Sequence, residues 1–358
     1  MKLGIIGLPQ SGKTTLFNAL TRGHAPTTAS AGRIEVHNAV VDVPDPRVGV
    51  LSGMFKPQKT IYAKVTYADI AGLEAGAANP QGASRTGISG QLLNQLTQMD
   101  AFLHVTRVFE DDNVPHPSGS VDAQRDIESM EGELLLNDLV AVERKLERLT
   151  DERKKGGTDK VENERQTVLF QRLNAALSEN TPLRKVEISA EESKILASFG
   201  LLTRKPILTV LNLGEGQSAP PVKVDHATVA LQGKLEMEIA QLPPEDAAVF
   251  MKEYGIEEPS LNRMIRLSYD LLDQQSFFTV GEDEVRAWTV HRGASAVEAA
   301  GAIHTDLQRG FVRAEVVAYD DLVSLGSMHE AKAKGKLRLE GKEYPVKDGD
   351  IVHIRFNI

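Results

Sequence analysis

The N-terminus constrains this chain more than any other segment. Gly7-Leu8-Pro9-Gln10-Ser11-Gly12-Lys13-Thr14 fits G-x-x-x-x-G-K-[ST], between a short apolar run, Lys2 to Gly7, and a helical pattern from Ser11 to Leu20 with Leu16, Phe17 and Leu20 on one face. Strand, glycine loop and helix in that order form a phosphate cradle. The glycines let successive backbone N–H groups point inward, Lys13 neutralises β and γ oxygens, and the Thr14 hydroxyl is a ligand for Mg²⁺. Pro9, Gln10, Ser11, Gly12, Lys13, Thr14 and Thr15 are thus expected at a nucleotide, with Lys13 also catalytic and Thr14 on the metal.

Further apolar runs at Val36 to Val43, Lys64 to Ile70, Ala101 to Val108 and Pro206 to Leu211 alternate with helical or loop segments. That is the pattern of a parallel sheet in an α/β fold, here a doubly wound one. With 358 residues, 41% of them hydrophobic and 25% charged, the chain has material for two or three cores.

Between Phe109 and about Leu201 the periodicity changes. Leu135, Leu139, Val142, Leu146 and Leu149 follow a 4-3-4-3 spacing, the seam of a coiled coil. Lys154-Lys155-Gly156-Gly157-Thr158-Asp159 then breaks the helix, and Val161, Val168, Leu169, Leu173 and Leu177 outline a returning arm. The expected organisation is a P-loop domain made of residues 1–109 and 202–278, a helical hairpin inserted at 110–201, and a small α+β module at 279–358. Short strands are expected in that module at Val285 to Val290, Arg313 to Ala318, Gly335 to Leu339, Glu343 to Val346 and Ile351 to Phe356.

Asp69-Ile70-Ala71-Gly72-Leu73 closes a strand and matches the D-x-x-G element of nucleotide switches. In that reading Asp69 holds Mg²⁺ through water, and the Gly72 backbone N–H senses the γ-phosphate and takes part in catalysis. Leu73 stands where many such enzymes place a glutamine that orients water, a task a leucine cannot perform, so no general base is assigned. After the strand ending at Leu211, Asn212-Leu213-Gly214-Glu215 takes the place of N-K-x-D. The altered guanine clamp makes adenine plausible, since adenine has no 2-amino donor to satisfy. Asn212, Leu213 and Glu215, with backbone groups near Ala230 to Gln232, Leu231 and Gln232 among them, are the expected base contacts.

The chain has no cysteine, which removes disulfides, thiolate nucleophiles and Cys-based zinc sites. The N-terminal apolar run is too short for a signal peptide or membrane span, and a cytoplasmic location is expected. A net charge of −9 argues against a nucleic-acid glove throughout, without excluding a basic face. His104 and Arg107 end an apolar strand and are candidates to approach the nucleotide, with a surface or core-edge role the more usual one for such residues. His291 and His304 lack metal-ligand company, whereas Arg286, Arg292, Arg309 and Arg313 are candidates for RNA phosphate or an acidic protein surface.

The set GLPQSGKTT, DIAGL and NLGE, the helical insertion and the C-terminal run from Glu284 to Ile358 resemble the YchF subfamily of Obg-like ATPases over nearly the whole chain. The resemblance implies a coiled-coil insert, a C-terminal TGS-like (ubiquitin-like) module, ATP favoured over GTP, and association with ribosomes. Contact with the large subunit, and with RNA through the TGS-like module and the hairpin, is the corresponding expectation. The chain also departs from the family pattern. Gln10-Ser11 replace N-V, Arg33 stands where a magnesium-binding threonine is usual (Thr27, Thr28 and Ser30 lie nearby), and Glu74 to Gly90 is longer. An ATPase of low intrinsic rate, a nucleotide-sensing adaptor with little hydrolysis, and a GTPase are the three readings this leaves.

Overall fold

The computed structural model describes residues 2–23, 36–70, 88, 90–155, 159–254 and 256–357. Its strands in chain order are β1 (Lys2–Ile6), β2 (Val36–Asp42), β3 (Lys59–Ile61), β4 (Lys64–Ile70), β5 (Ala101–Arg107), β6 (Ile207–Asn212), β7 (Thr228–Leu231), β8 (Gln274–Val280), β9 (Glu284–His291), β10 (Phe311–Ala318), β11 (Arg338–Glu340) and β12 (Asp350–Phe356). The first five helices are α1 (Lys13–Thr21), α2 (Pro46–Phe55), α3 (Gly90–Thr97), α4 (Ala123–Lys155) and α5 (Lys160–Ser178).

The chain divides into two compact units, Met1–Ala39 with Thr66–Leu261, and Val40–Val65 with Asn262–Ile358. These boundaries differ from those expected of the sequence. β3 pairs in parallel with β9, Thr60 against Val285, so the segment between β2 and β4 belongs with the C-terminal sheet. A three-residue strand whose partner lies far along the chain leaves no local pattern to read.

The first sheet has the order β2-β4-β1-β5-β6-β7, with β4, β1, β5, β6 and β7 mutually parallel. β5 and β6 are buried along their whole length, as expected of strands covered on both faces. Chain order reverses about β1: the connection from β1 reaches β4 on one side and that from β4 reaches β5 on the other. Ligands in such sheets bind outside the carboxyl ends of the strands at this switch point.

α4 serves two cores. Met130 and Leu134 pack with Ile6, Ala68, Leu92 and Phe102 under the sheet. Farther along, Leu135, Val142 and Leu149 pack with Leu169, Phe170, Leu173 and Leu177 of α5. The hairpin is therefore continuous with the sheet domain's core at its root. The returning arm outlined by Val161, Val168, Leu169, Leu173 and Leu177 is α5; its leucines are buried, whereas Val161 and Val168 are 77% and 62% exposed. Asp138, fully buried, accepts hydrogen bonds from Leu202 N (2.8 Å), Thr203 N (2.7 Å) and Thr203 Oγ1 (2.6 Å), pinning the returning chain to α4.

The second sheet has the order β11-β10-β12-β8-β9-β3 around a core of Phe277, Val290, Ala299, Phe311, Val316 and Ile354. Apart from β3, its first strand in the chain, β8, begins at Gln274. The strand expected at Glu343 to Val346 is reduced to one bridge between Pro345 and Ser295. No helix among the described residues is long and apolar enough to cross a membrane.

Candidate functional site

The loop from Gly7 to Gly12 leaves β1 at the switch point and turns into α1. Gly7 has φ +153°, and a Cβ there would stand 2.3 Å from the carbonyl oxygen of Val105 in β5. Gly12 has φ +95°, with Asn212 Nδ2 2.1 Å from where its Cβ would be. Both positions exclude any side chain, by backbone conformation and by space. Gln10 also takes a left-handed conformation, φ +61°.

Lys13 Nζ donates to the carbonyls of Gly7 (3.0 Å) and Leu8 (2.8 Å), so the ammonium caps the loop's own oxygens. Desolvation lowers its pKa to about 8, against the opposing pull of Asp69. Thr14 Oγ1 donates to Asp69 Oδ2 at 2.9 Å, while Asp69 Oδ1 is buried without a hydrogen-bond partner among the described residues. Burial raises the Asp69 pKa, partly offset by the Thr14 hydrogen bond and by the charges of Lys13 and His37. A hydroxyl beside a carboxylate with one bare buried oxygen is a hard donor set suited to Mg²⁺. Ser11 Oγ is likewise buried and unpartnered in the loop.

The expected base-contacting segment lies at the ends of β6 and β7. Asn212 Nδ2 donates to Ser11 O at 3.0 Å, and Asn212 Oδ1 accepts from Gly233 N at 2.9 Å. One side chain thus ties the phosphate loop to the helix Gly233–Gln241, whose N-cap is Gln232. Leu213 N donates to Leu231 O (2.8 Å), closing the main chain of the two strand ends on one another. Glu215 is exposed, whereas Pro9, Thr14 and Thr15 are half-buried. Gly72, Leu73, Arg33, Thr27, Thr28 and Ser30 lie outside the described residues.

Two strand-end residues read as surface or core-edge are deeply placed. Arg107 is 3% exposed; its Nε donates to Phe109 O, and its guanidinium lies 4.5 Å from the centre of the Phe109 ring. His104 is 2% exposed, its pKa lowered to about 3 by burial and then by the charges of His226 and Lys13, so it is neutral. Phe109, which sequence reasoning passed over, lies beside the loop: a Cβ built on Gly12 would stand 3.9 Å from its ring, and one built on Gly214 would stand 3.3 Å from its own Cβ. A lone aromatic just past a strand gives little signal; its distance from Gly12 becomes readable only once β1, β5 and β6 are side by side.

Residues 2–145 match a family model described as "50S ribosome-binding GTPase", and residues 274–357 match the YchF-GTPase C-terminal model, described as "Protein of unknown function (DUF933)". The chain is 40% identical to the "Ribosome-binding ATPase YchF" of Bacillus subtilis, over 99% of both chains. It is 40% identical to the protein of that name from Haemophilus influenzae, over 100% of this chain and 99% of the other. The solved structure of the Schizosaccharomyces pombe YchF GTPase superposes with a TM-score of 0.84 at 31% identity, covering 99% of this chain and 97% of that one. With a phosphate loop at the switch point of its sheet and kinship running the length of the chain, this protein belongs to the YchF family.

Proposed function

We propose that this protein is a Mg²⁺-dependent nucleotidase that prefers ATP to GTP and works in association with the ribosome. The observation that carries the reading is the convergence of Lys13, Thr14 and Asp69 at the mouth of the β1 loop, in a chain akin over its whole length to ribosome-binding ATPases. The loop amides and Lys13 bind the phosphates, with Lys13 exchanging the Gly7 and Leu8 carbonyls for phosphate oxygens. Thr14, and Asp69 through water, would hold Mg²⁺, which would supply positive charge to offset that of the phosphates. Asn212 keeps the loop in register with the Leu213 and Leu231 main chain, and Phe109, backed by Arg107, offers its ring to the base. Gly72 supplies a backbone donor toward the γ-phosphate.

ATP is favoured because the exposed Glu215 is a poor counterpart of a guanine-clamping aspartate. The ribosomal partner includes the large subunit, with RNA contacts through the C-terminal unit or the hairpin, and the protein is cytoplasmic. Calorimetry with Mg²⁺ tests this reading: ATP binds at least roughly tenfold tighter than GTP, about 1.4 kcal/mol, and Lys13→Ala loses most of that binding. A tighter GTP complex would sink the base assignment, and unchanged affinity in Lys13→Ala would sink the site.

A further inference from the structure

Two of the arginines expected to meet RNA phosphate or an acidic surface are engaged within their own unit. Arg286 lies 4.1 Å from the centre of the Trp288 ring and beside Glu284. Arg292 donates from Nη2 to Asp270 Oδ1 at 2.7 Å, with its Nε 3.6 Å from Asp273. Arg292 also lines a cavity of about 160 Å³ inside the second unit, bounded by the segment that enters α2, by the helix Ser260–Leu271 and by the start of β8. On that helix Arg266, Tyr269 and Asp270 stand three and four residues apart, the spacing that places side chains on one face.

The charges on the wall come in opposed partners. Arg47 is held between Asp45 (2.8 Å) and Asp348 (2.7 Å), and Asp348 Oδ1 also accepts from Ser276 N at 3.1 Å. With Arg266 and the pair Arg292–Asp270, the lining arginines Arg47, Arg266 and Arg292 are matched by Asp45, Asp270 and Asp348. So balanced a wall has no net field to retain a lone anion or a lone cation.

Gln274, which also lines the cavity, is 1% exposed. Its Nε2 donates to the Leu272 carbonyl at 2.7 Å and faces His291 Nδ1 at 2.8 Å. The Leu272 bond fixes which end of the amide is nitrogen, and it leaves Oε1 buried with no hydrogen-bond partner among the described residues. A buried acceptor in that condition calls for a donor.

We propose that this cavity binds a small zwitterion of the α-amino-acid class. The ammonium donates to Gln274 Oε1 and to the Asp270 carboxylate, and the ligand carboxylate is taken by the Arg292 guanidinium. An ammonium brings donors and no acceptor, as Gln274 and Asp270 require, while guanidinium forks match carboxylates. The volume lies below the roughly 300–1,000 Å³ of sites for drug-sized ligands, which restricts the occupant to a small side chain, as in glycine or alanine. This site is independent of the nucleotide reading, whose residues belong to the first unit.

The test is equilibrium dialysis of the full-length protein against radiolabelled L-alanine. Wild type takes it up saturably. Asp270→Asn and Arg292→Gln alter side chains that are 58% and 48% exposed, so the fold persists while L-alanine binds at least about tenfold more weakly. Gln274→Met removes the bare acceptor and gives a similar loss; its denaturation midpoint is measured alongside, and if that variant fails to fold the two exposed positions decide. Unlabelled glycine displaces the label, whereas acetate and methylammonium, each carrying one half of the zwitterion, do not at the same concentration. No saturable uptake, wild-type affinity in Asp270→Asn and Arg292→Gln, or displacement by acetate or methylammonium as effective as that by glycine would each overturn the proposal.

Discussion

Two buried carboxylates of the first unit, Asp69 at the end of β4 and Asp138 within α4, meet the same desolvation, and burial raises the pKa of both. Their surroundings differ. Asp138 faces three donors within 2.8 Å from Leu202 and Thr203, so both its oxygens are used. Asp69 receives one hydrogen bond, from Thr14, and keeps an oxygen bare. A satisfied buried charge fastens chain to chain, whereas a half-satisfied one is a cost to folding that a ligand can offset.

The same substitution at both positions breaks or sharpens that contrast. Asp138→Asn turns an acceptor into a donor facing buried N–H groups, and is expected to cost about 2–3 kcal/mol of stability, seen as a lower denaturation midpoint. A midpoint unchanged within error would mean that the root of the hairpin is not fastened there. Asp69→Asn retains a group that Thr14 can bond and removes a desolvated charge, so stability changes by less than about 1 kcal/mol. ATP affinity, by contrast, loses its dependence on Mg²⁺ by about tenfold or more in calorimetry. If Asp69→Asn unfolds the protein while Mg²⁺ dependence persists, the two carboxylates have been assigned the wrong way round.

A smaller effect concerns Lys13. With its pKa near 8 in the folded protein, ATP affinity falls as the pH is raised above about 8, by up to about tenfold per unit, because a neutral amine no longer balances phosphate. Stability runs the other way. The unfolded chain holds the lysine proton up to its ordinary 10.5, so folding releases a proton between about 8 and 10.5 and stability gains across that window. Equal ATP affinities at pH 7 and 9 would remove Lys13 from the phosphate contact.

Much of this organisation is legible in the sequence because it is local. Gly7 to Thr14, the seam from Leu135 to Leu149 and the strand Lys64 to Ile70 each declare themselves within a few turns or alternations, and the structure places β4 at those residues. The readings that failed depended on distant partners. β3 joins β9 across most of the chain, and Glu343 to Val346 find only one bridge.

At the site, the sequence alone determined a glycine loop that leaves β1 and turns through a left-handed Gly12 into the helix starting at Lys13, because chain geometry and residue type suffice for that turn. Tertiary structure decided that Asn212 would lock Ser11 to Gly233, that Phe109 and Arg107 would stand beside the loop, and that Arg313 would face Arg355. Those relations join residues far apart in the chain, and strand order and register, set by burial of whole faces, bring them together.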